Sequence, residues 1–199
     1  MRDLRIVFMG TPDFAVAILK RLIEDNYNVV GVITAPDKAA GRGRKINQSA
    51  VKKYALEQNL HLFQPTNLKN DIFINELKAV SATLQVVVAF RMLPKIVWEM
   101  PTYGTFNLHA SLLPSYRGAA PIHWAIINGE EKTGVTTFFL QHKIDTGDIL
   151  FQEEEEIQPM ISQKLYFQGK KDEVLKLIKE AKLRVKKDEY ANFKQLKPM

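Results

Sequence analysis

The chain has no cysteine among its 199 residues, which excludes a disulfide framework, a thiolate nucleophile and a cysteine metal site. Histidine is scarce as well, and the four at positions 61, 109, 123 and 142 lack a metal-ligand spacing such as H-E-x-x-H. No apolar run approaches the roughly 20 residues needed to cross a bilayer. The opening stretch MRDLRIVFMG has no secretory-signal pattern and reads as a buried strand. Gly10 is not followed by the second and third glycines of a dinucleotide fingerprint. The expectation is a cytoplasmic chain with no membrane partner and no metal.

A net excess of either charge is nearly missing from most of the chain. The net charge is +6, but residues 170–199 hold ten Lys/Arg against five Asp/Glu. The first 169 residues therefore carry eighteen basic and seventeen acidic side chains, close to neutrality. Within them one stretch stands apart: DKAAGRGRKINQSAVKK (37–53) gathers Lys38, Arg42, Arg44, Lys45, Lys52 and Lys53 with Asp37 as its only acid. A local basic surface on a neutral body favours a specific anionic partner over general polyanion affinity.

What is present is a regular alternation. LRIVFMG (4–10) is a short apolar run ending in Gly, as in a strand buried on both faces. A helix follows, with Pro12 in its opening turn and Phe14, Ile18, Leu22 and Ile23 near helical spacing. YNVVGVIT predicts a second strand, SAVKKYALEQN a helix starting at a capping Ser, and DIFINELKAV a helix with Asp in its first turn. LQVVVAF (84–90) and GTFNLHAS (104–111) read as strands, with PKIVWEM between them as a short helix. APIHWAIING predicts a helix, and TGVTTFFLQ and DILFQEEEE a pair of strands. Strands separated by helices predict an α/β, Rossmann-like, doubly wound and mostly parallel sheet. Ligands of such sheets sit beyond the carboxyl ends of the strands, here the ends of 84–90 and 104–109.

Composition changes near Gln158. The remainder holds LYFQG, similar to the core of a protease site used to remove expression tags, and a charged stretch with Val174, Leu175, Ile178 and Leu183 as an apolar stripe. An ordinary C-terminal helix and an engineered or foreign tail both fit this pattern.

Chemistry is expected at GTFNLHASLLPSYRG (104–118). Side chains at i and i+2 of a strand share a face, so Asn107 and His109 project together while Phe106 and Leu108 face the other way. Taken alone, an Asn-x-His is more often a hydrogen-bonded core pair than a site. Ser111, His109 and Asp145 nominally offer a hydrolase triad, but Ser111 lacks the strand–turn–helix setting of G-x-S-x-G.

The longer stretch NLHASLLPSYRGAAPIHWAIINGEEKTGVTTFFLQHKIDTGDIL (107–150) is specific. With FMGTPDFAV (8–16), PDKAAGRGRK (36–45) and VVVAFRMLP (86–94), it resembles the formyltetrahydrofolate-dependent formyltransferases, nearest to the branch that acts on initiator methionyl-tRNA. The resemblance implies a catalytic domain over 1–157 with the formyltransferase fold, 158–199 being a divergent basic helical tail. The β-barrel domain that follows in that branch is not recognisable after residue 157. It implies a catalytic trio of Asn107, His109 and Asp145. It also implies a 10-formyltetrahydrofolate site lined by Ser111, Leu112, Leu113 and Pro114 and by the backbone of Arg91, Met92 and Leu93. Arg42, Arg44 and Lys45 match the loop that meets RNA, and a monomer is expected.

In formyl transfer an amide such as Asn107 stabilises the developing oxyanion without titrating, and an imidazole can donate to the same oxygen or pass a proton. Asp145 could hold the imidazole charged or, through water, take the proton of the attacking amine. Two other readings remain at this stage: an N-formyltransferase acting on a nucleotide-linked amino sugar, and a non-catalytic folate- or RNA-binding fragment.

Overall fold

The computed structural model describes residues 4–40, 45–141, 145 and 147–157. Strand β1 (Arg5–Gly10) leads into helix α1 (Asp13–Glu24) and strand β2 (Asn28–Ile33). A two-stranded antiparallel arm follows, β3 (Lys38–Ala40) and β4 (Lys45–Asn47). Then come α2 (Ala50–Glu57), β5 (Leu62–Phe63), α3 (Asp71–Ala79), β6 (Leu84–Val88), α4 (Lys95–Trp98) and β7 (Thr105–His109). The described residues end with α5 (Pro121–Ile127), β8 (Lys132–Phe139) and β9 (Ile149–Glu156).

Among the described residues the main sheet has seven strands in the order β5-β2-β1-β6-β7-β8-β9. The pairs β5–β2, β2–β1, β1–β6 and β6–β7 are parallel, and β7–β8 is antiparallel. This is the mostly parallel, Rossmann-like α/β architecture expected from the alternation of strand and helix patterns. The strand order reverses where β1 separates β2 from β6.

The two faces of the parallel strands are covered by different helices, which is why the strand sequences are continuously apolar rather than alternating. On one face Ile6, Phe8, Val32, Val86 and Val88 pack with Ala15 and Leu19 of α1 and Val51 and Ala55 of α2. On the other, Val7, Met9, Ile33 and Val87 pack with Phe73, Ile74 and Leu77 of α3 and Val97 of α4. Ser49 caps α2 as expected, its side chain accepting from the Lys52 N–H at 3.0 Å. For α3 the cap is Asn70, which accepts from the N–H groups of Ile72 and Phe73. Each such cap satisfies donors that the first helical turn leaves unpaired.

The chain divides into two compact units, Met1–His109 with Thr136–Gln152, and Ala110–Val135 with Glu153–Met199. The first contains the parallel strands and their four helices. The described part of the second contains the segment after β7, helix α5 and the outer ends of β8 and β9, where Lys132 pairs with Glu154 at the surface. Residues 158–199, expected to form a basic helical tail, lie outside the described residues. No helix among the described residues is long and apolar enough to cross a membrane.

Candidate active site

Asn107 and His109 share one face of β7. Phe106 and Leu108 pack on the opposite face, against the core beneath α1 and α2. Asn107 lies between Val87 of β6 and Phe138 of β8, and His109 opposite Thr136. His109 is 7% exposed and Thr136 is fully buried, so the imidazole sits in an environment where a hydrogen bond is worth more than in water. The Thr136 hydroxyl in turn accepts from Gln152 Nε2 at 3.0 Å, extending the row into β9.

Asp145 belongs to the turn between β8 and β9. The Phe139 N–H donates to the Asp148 carbonyl at 3.2 Å and the Leu140 N–H to the Thr105 carbonyl at 2.8 Å, which fixes both ends of that turn in the first unit. A Cβ on Gly147 would collide with the Phe139 carbonyl oxygen and lie 3.2 Å from Phe138 Cδ2. Only glycine lets the backbone approach so closely. Gly147, two residues after Asp145, therefore lies against Phe138 and Phe139 of β8, which pair with Asn107 and Phe106 of β7. His109 stands two residues beyond Asn107. Asp145 itself is half-buried, with φ of 50°.

The loop after β6 turns sharply at Ala89, whose φ is 47°. The Arg91 guanidinium is spent on the carbonyl oxygens of Thr66, at 3.0 Å, and Pro65. Burial holds its pKa below the usual arginine value. Met92 is 75% exposed, whereas Leu93 packs into the core beneath α3 and α4. Within this loop Arg91 and Met92 are exposed and Leu93 is half-buried.

In the second unit, Ser111 is fully buried and its hydroxyl donates to the Ser115 carbonyl at 2.7 Å. The Ser115 N–H donates to the Leu112 carbonyl at 3.0 Å, the Leu113–Pro114 peptide is cis, and Leu113 is 6% exposed. The Ser111 hydroxyl is thus committed to its own loop, which argues against the nucleophile of a hydrolase triad. Left-handed backbone recurs at Tyr116 and Ala120, with φ of 56° and 55°. Each non-glycine residue so placed costs about 1–2 kcal/mol, and such strain clusters at functional sites. Of the seven non-glycine residues with positive φ among the described residues, four fall in segments singled out from the sequence: Ala89, Tyr116, Ala120 and Asp145.

Arg42 and Arg44 lie outside the described residues, and Lys45 opens β4. His61 is an exposed residue stacked on Phe63 at 4.5 Å, and His123 is exposed on α5. Among the described residues no three His, Cys, Asp or Glu side chains group to hold a metal ion. Sequence reasoning missed two contacts: Gly134, which leaves room for the Leu112 side chain, and Glu130, which accepts from the hydroxyl of Tyr116, two residues beyond Pro114. Glycine within a strand pattern was the available signal for the first.

Comparison with known proteins matches residues 4–181 to the Formyl transferase family. The methionyl-tRNA formyltransferase of Flavobacterium johnsoniae is 70% identical over 159 residues, covering 80% of this chain and 50% of that protein. That of Bacteroides thetaiotaomicron is 68% identical over 150 residues, covering 75% and 47%. The chain spans about half the length of these curated relatives. Among solved structures, a phosphoribosylglycinamide formyltransferase from Bacillus halodurans superposes with a TM-score of 0.63 at 19% identity, over 84% of this chain and 88% of that one. WlaRD, a sugar 3N-formyl transferase solved in the presence of dTDP and 5-N-formyl-THF, gives 0.55 at 23% identity, over 92% and 63%. At these identities the structural likeness shows the fold.

Proposed function

The chain belongs to the formyl transferase family, and from that premise we propose that it transfers a formyl group from 10-formyltetrahydrofolate to the α-amino group of initiator methionyl-tRNA, in the cytoplasm. The observation that carries the choice of acceptor is the 70% identity over 159 residues to a methionyl-tRNA formyltransferase. The likeness to the sugar enzyme is 23%. The donor site suits such a molecule in chemical character: a neutral amide and an imidazole on one strand face, with the apolar Met92 side chain exposed on the loop after β6.

A formyl folate supplies an activated one-carbon acyl group whose leaving atom is a nitrogen. Asn107 donates its amide N–H to the oxyanion that develops as the acceptor amine bonds to the formyl carbon. A positioned donor of this kind is worth about 3–4 kcal/mol in a transition state. His109, held in the buried row with Thr136, donates to the same oxygen or delivers a proton to the departing nitrogen. Asp145 accepts the proton that the amine loses, through water, or keeps the imidazole charged. Bond formation to the amine nitrogen and rupture at the folate nitrogen leave one proton to move from the first to the second, and these side chains provide its path. Arg42, Arg44 and Lys45 supply phosphate contacts to the acceptor RNA; the planar fork of arginine suits a phosphate oxygen pair.

The test is a parallel assay of the whole chain with 10-formyltetrahydrofolate and either methionyl-tRNA or a UDP-linked amino sugar. Formyl-methionyl-tRNA as the product supports the proposal. Product on the sugar alone would reassign the acceptor, and donor binding without any product would mark a non-catalytic binding fragment. RNA affinity that falls with added salt and with Arg42→Ala is expected.

A further inference from the structure

Tyr116 adopts a backbone conformation that a bulky side chain rarely takes, and the structure shows what holds it there. Its hydroxyl donates to Glu130 Oε1 and accepts from Asn128 Nδ2 at 3.1 Å. Both partners are themselves fixed. Asn128 closes α5, its N–H donating to the Trp124 carbonyl at 2.9 Å, and the Glu130 N–H donates to the Ala125 carbonyl at 3.0 Å. Burial, and then the hydrogen bond to the Glu130 carboxylate, push the Tyr116 phenol above its ordinary pKa, so the hydroxyl stays a donor at neutral pH.

Tyr116 is the exit of the segment whose other members are already locked. Ser111 bonds Ser115 across the loop, and Leu112 lies so close to Gly134 that an added Cβ would come within 2.6 Å of its Cδ2. Beyond Tyr116, Gly118 has φ of 87° with nothing within 4 Å of an added Cβ. The phenol hydroxyl therefore joins the loop to the end of α5 and the residues that follow it.

We infer that Glu130 and Asn128 are positioning residues for the formyl donor: through the Tyr116 hydroxyl they hold the strained exit of the Ser111–Pro114 segment, so that its backbone is formed before the donor arrives. The inference rests on the proposed reading of that segment as the donor's lining. Preforming a binding loop raises affinity by removing the ordering cost at the moment of binding.

The test uses the whole chain and three variants: Tyr116→Phe, Glu130→Leu and Glu130→Gln, the last keeping an acceptor oxygen. The readouts are the dissociation constant for 10-formyltetrahydrofolate, the KM for donor and for methionyl-tRNA, and kcat. Tyr116→Phe and Glu130→Leu are expected to weaken donor binding and raise donor KM about tenfold, one lost hydrogen-bonded anchor. Acceptor KM should stay the same and kcat within about twofold, with Glu130→Gln recovering most of the donor affinity. Should Glu130→Leu fail to fold, Tyr116→Phe decides. Unchanged donor affinity in Tyr116→Phe overturns the inference, as does a loss shared equally by both substrates and kcat. If the unsubstituted chain itself binds no formyl folate, the functional reading fails and takes the inference with it. Normal donor binding that the variants leave untouched defeats the inference alone.

Discussion

Lys52 Nζ stands 2.6 Å from Asp37 Oδ2, with the two side chains only 13% and 27% exposed. One of the six cations of the basic stretch is therefore neutralised at its root and unavailable to an anionic partner. Gln64 Nε2 adds bonds of 2.9 Å to Asp37 Oδ1 and to the Ala35 carbonyl. Thr34 Oγ1 meets Ser49 Oγ at 2.7 Å, tying the chain before β3 to the chain after β4. These contacts hold the Asp37 carboxyl below its ordinary pKa, Lys52 contributing most and Gln64 next.

A depressed carboxylate contributes stability above its unfolded pKa and loses it as pH falls through the folded value. The stability gap between the natural chain and Asp37→Asn should be full at neutral pH and close below the usual carboxylate range, about pH 4. Urea unfolding across that interval checks it. A gap that persists unchanged in acid would mean the pair stabilises by packing alone.

Tyr116 gives the opposite sign. Its pKa is raised, so its contribution is complete below the unfolded value, about 10, and is lost as pH rises through the folded one. The natural chain should lose stability more steeply than Tyr116→Phe in alkali, measured by urea unfolding. Parallel curves would contradict the phenol–carboxylate bond.

Gly147→Ala places a methyl group against the Phe139 carbonyl oxygen. The turn that carries Asp145 must shift. A displacement of about 1 Å in a catalytic group can lower turnover about a hundredfold, and kcat for formyl transfer should fall on that order. Near-normal kcat would remove Asp145 from the chemistry.

The sheet's core predicts a contrast. Leu19 is fully buried against β1 and α2 neighbours, whereas Ile72 of α3 is 70% exposed. Leu19→Ala should cost about 2–5 kcal/mol and Ile72→Ala within about 0.5 kcal/mol, by chemical denaturation. Equal losses would place the core elsewhere.

Much of this was legible beforehand, for identifiable reasons. The strand runs at 4–10 and 84–90 stand out because burial on both faces makes them continuously apolar. The helix beginning at Ala50 was visible from its capping Ser49. The β3–β4 arm is not visible in the sequence because its two three-residue strands are too short to show an alternation. β5 escaped because two residues cannot show one. At the candidate site, Asn107 and His109 were paired by strand periodicity alone. Asp145 lies beyond any local pattern and was reached only through the resemblance. Glu130 stayed invisible because its link to Tyr116, fourteen residues away, depends on a left-handed turn that no composition announces.

The central claim is that the polar face of β7 performs acyl transfer, and His109→Ala tests it most directly. Donor binding and single-turnover formylation of methionyl-tRNA are measured together on the natural chain and this variant. The account predicts a rate lower by about a hundredfold or more, with the formyl folate still bound at near-natural affinity. A rate within about twofold of the natural chain would contradict it.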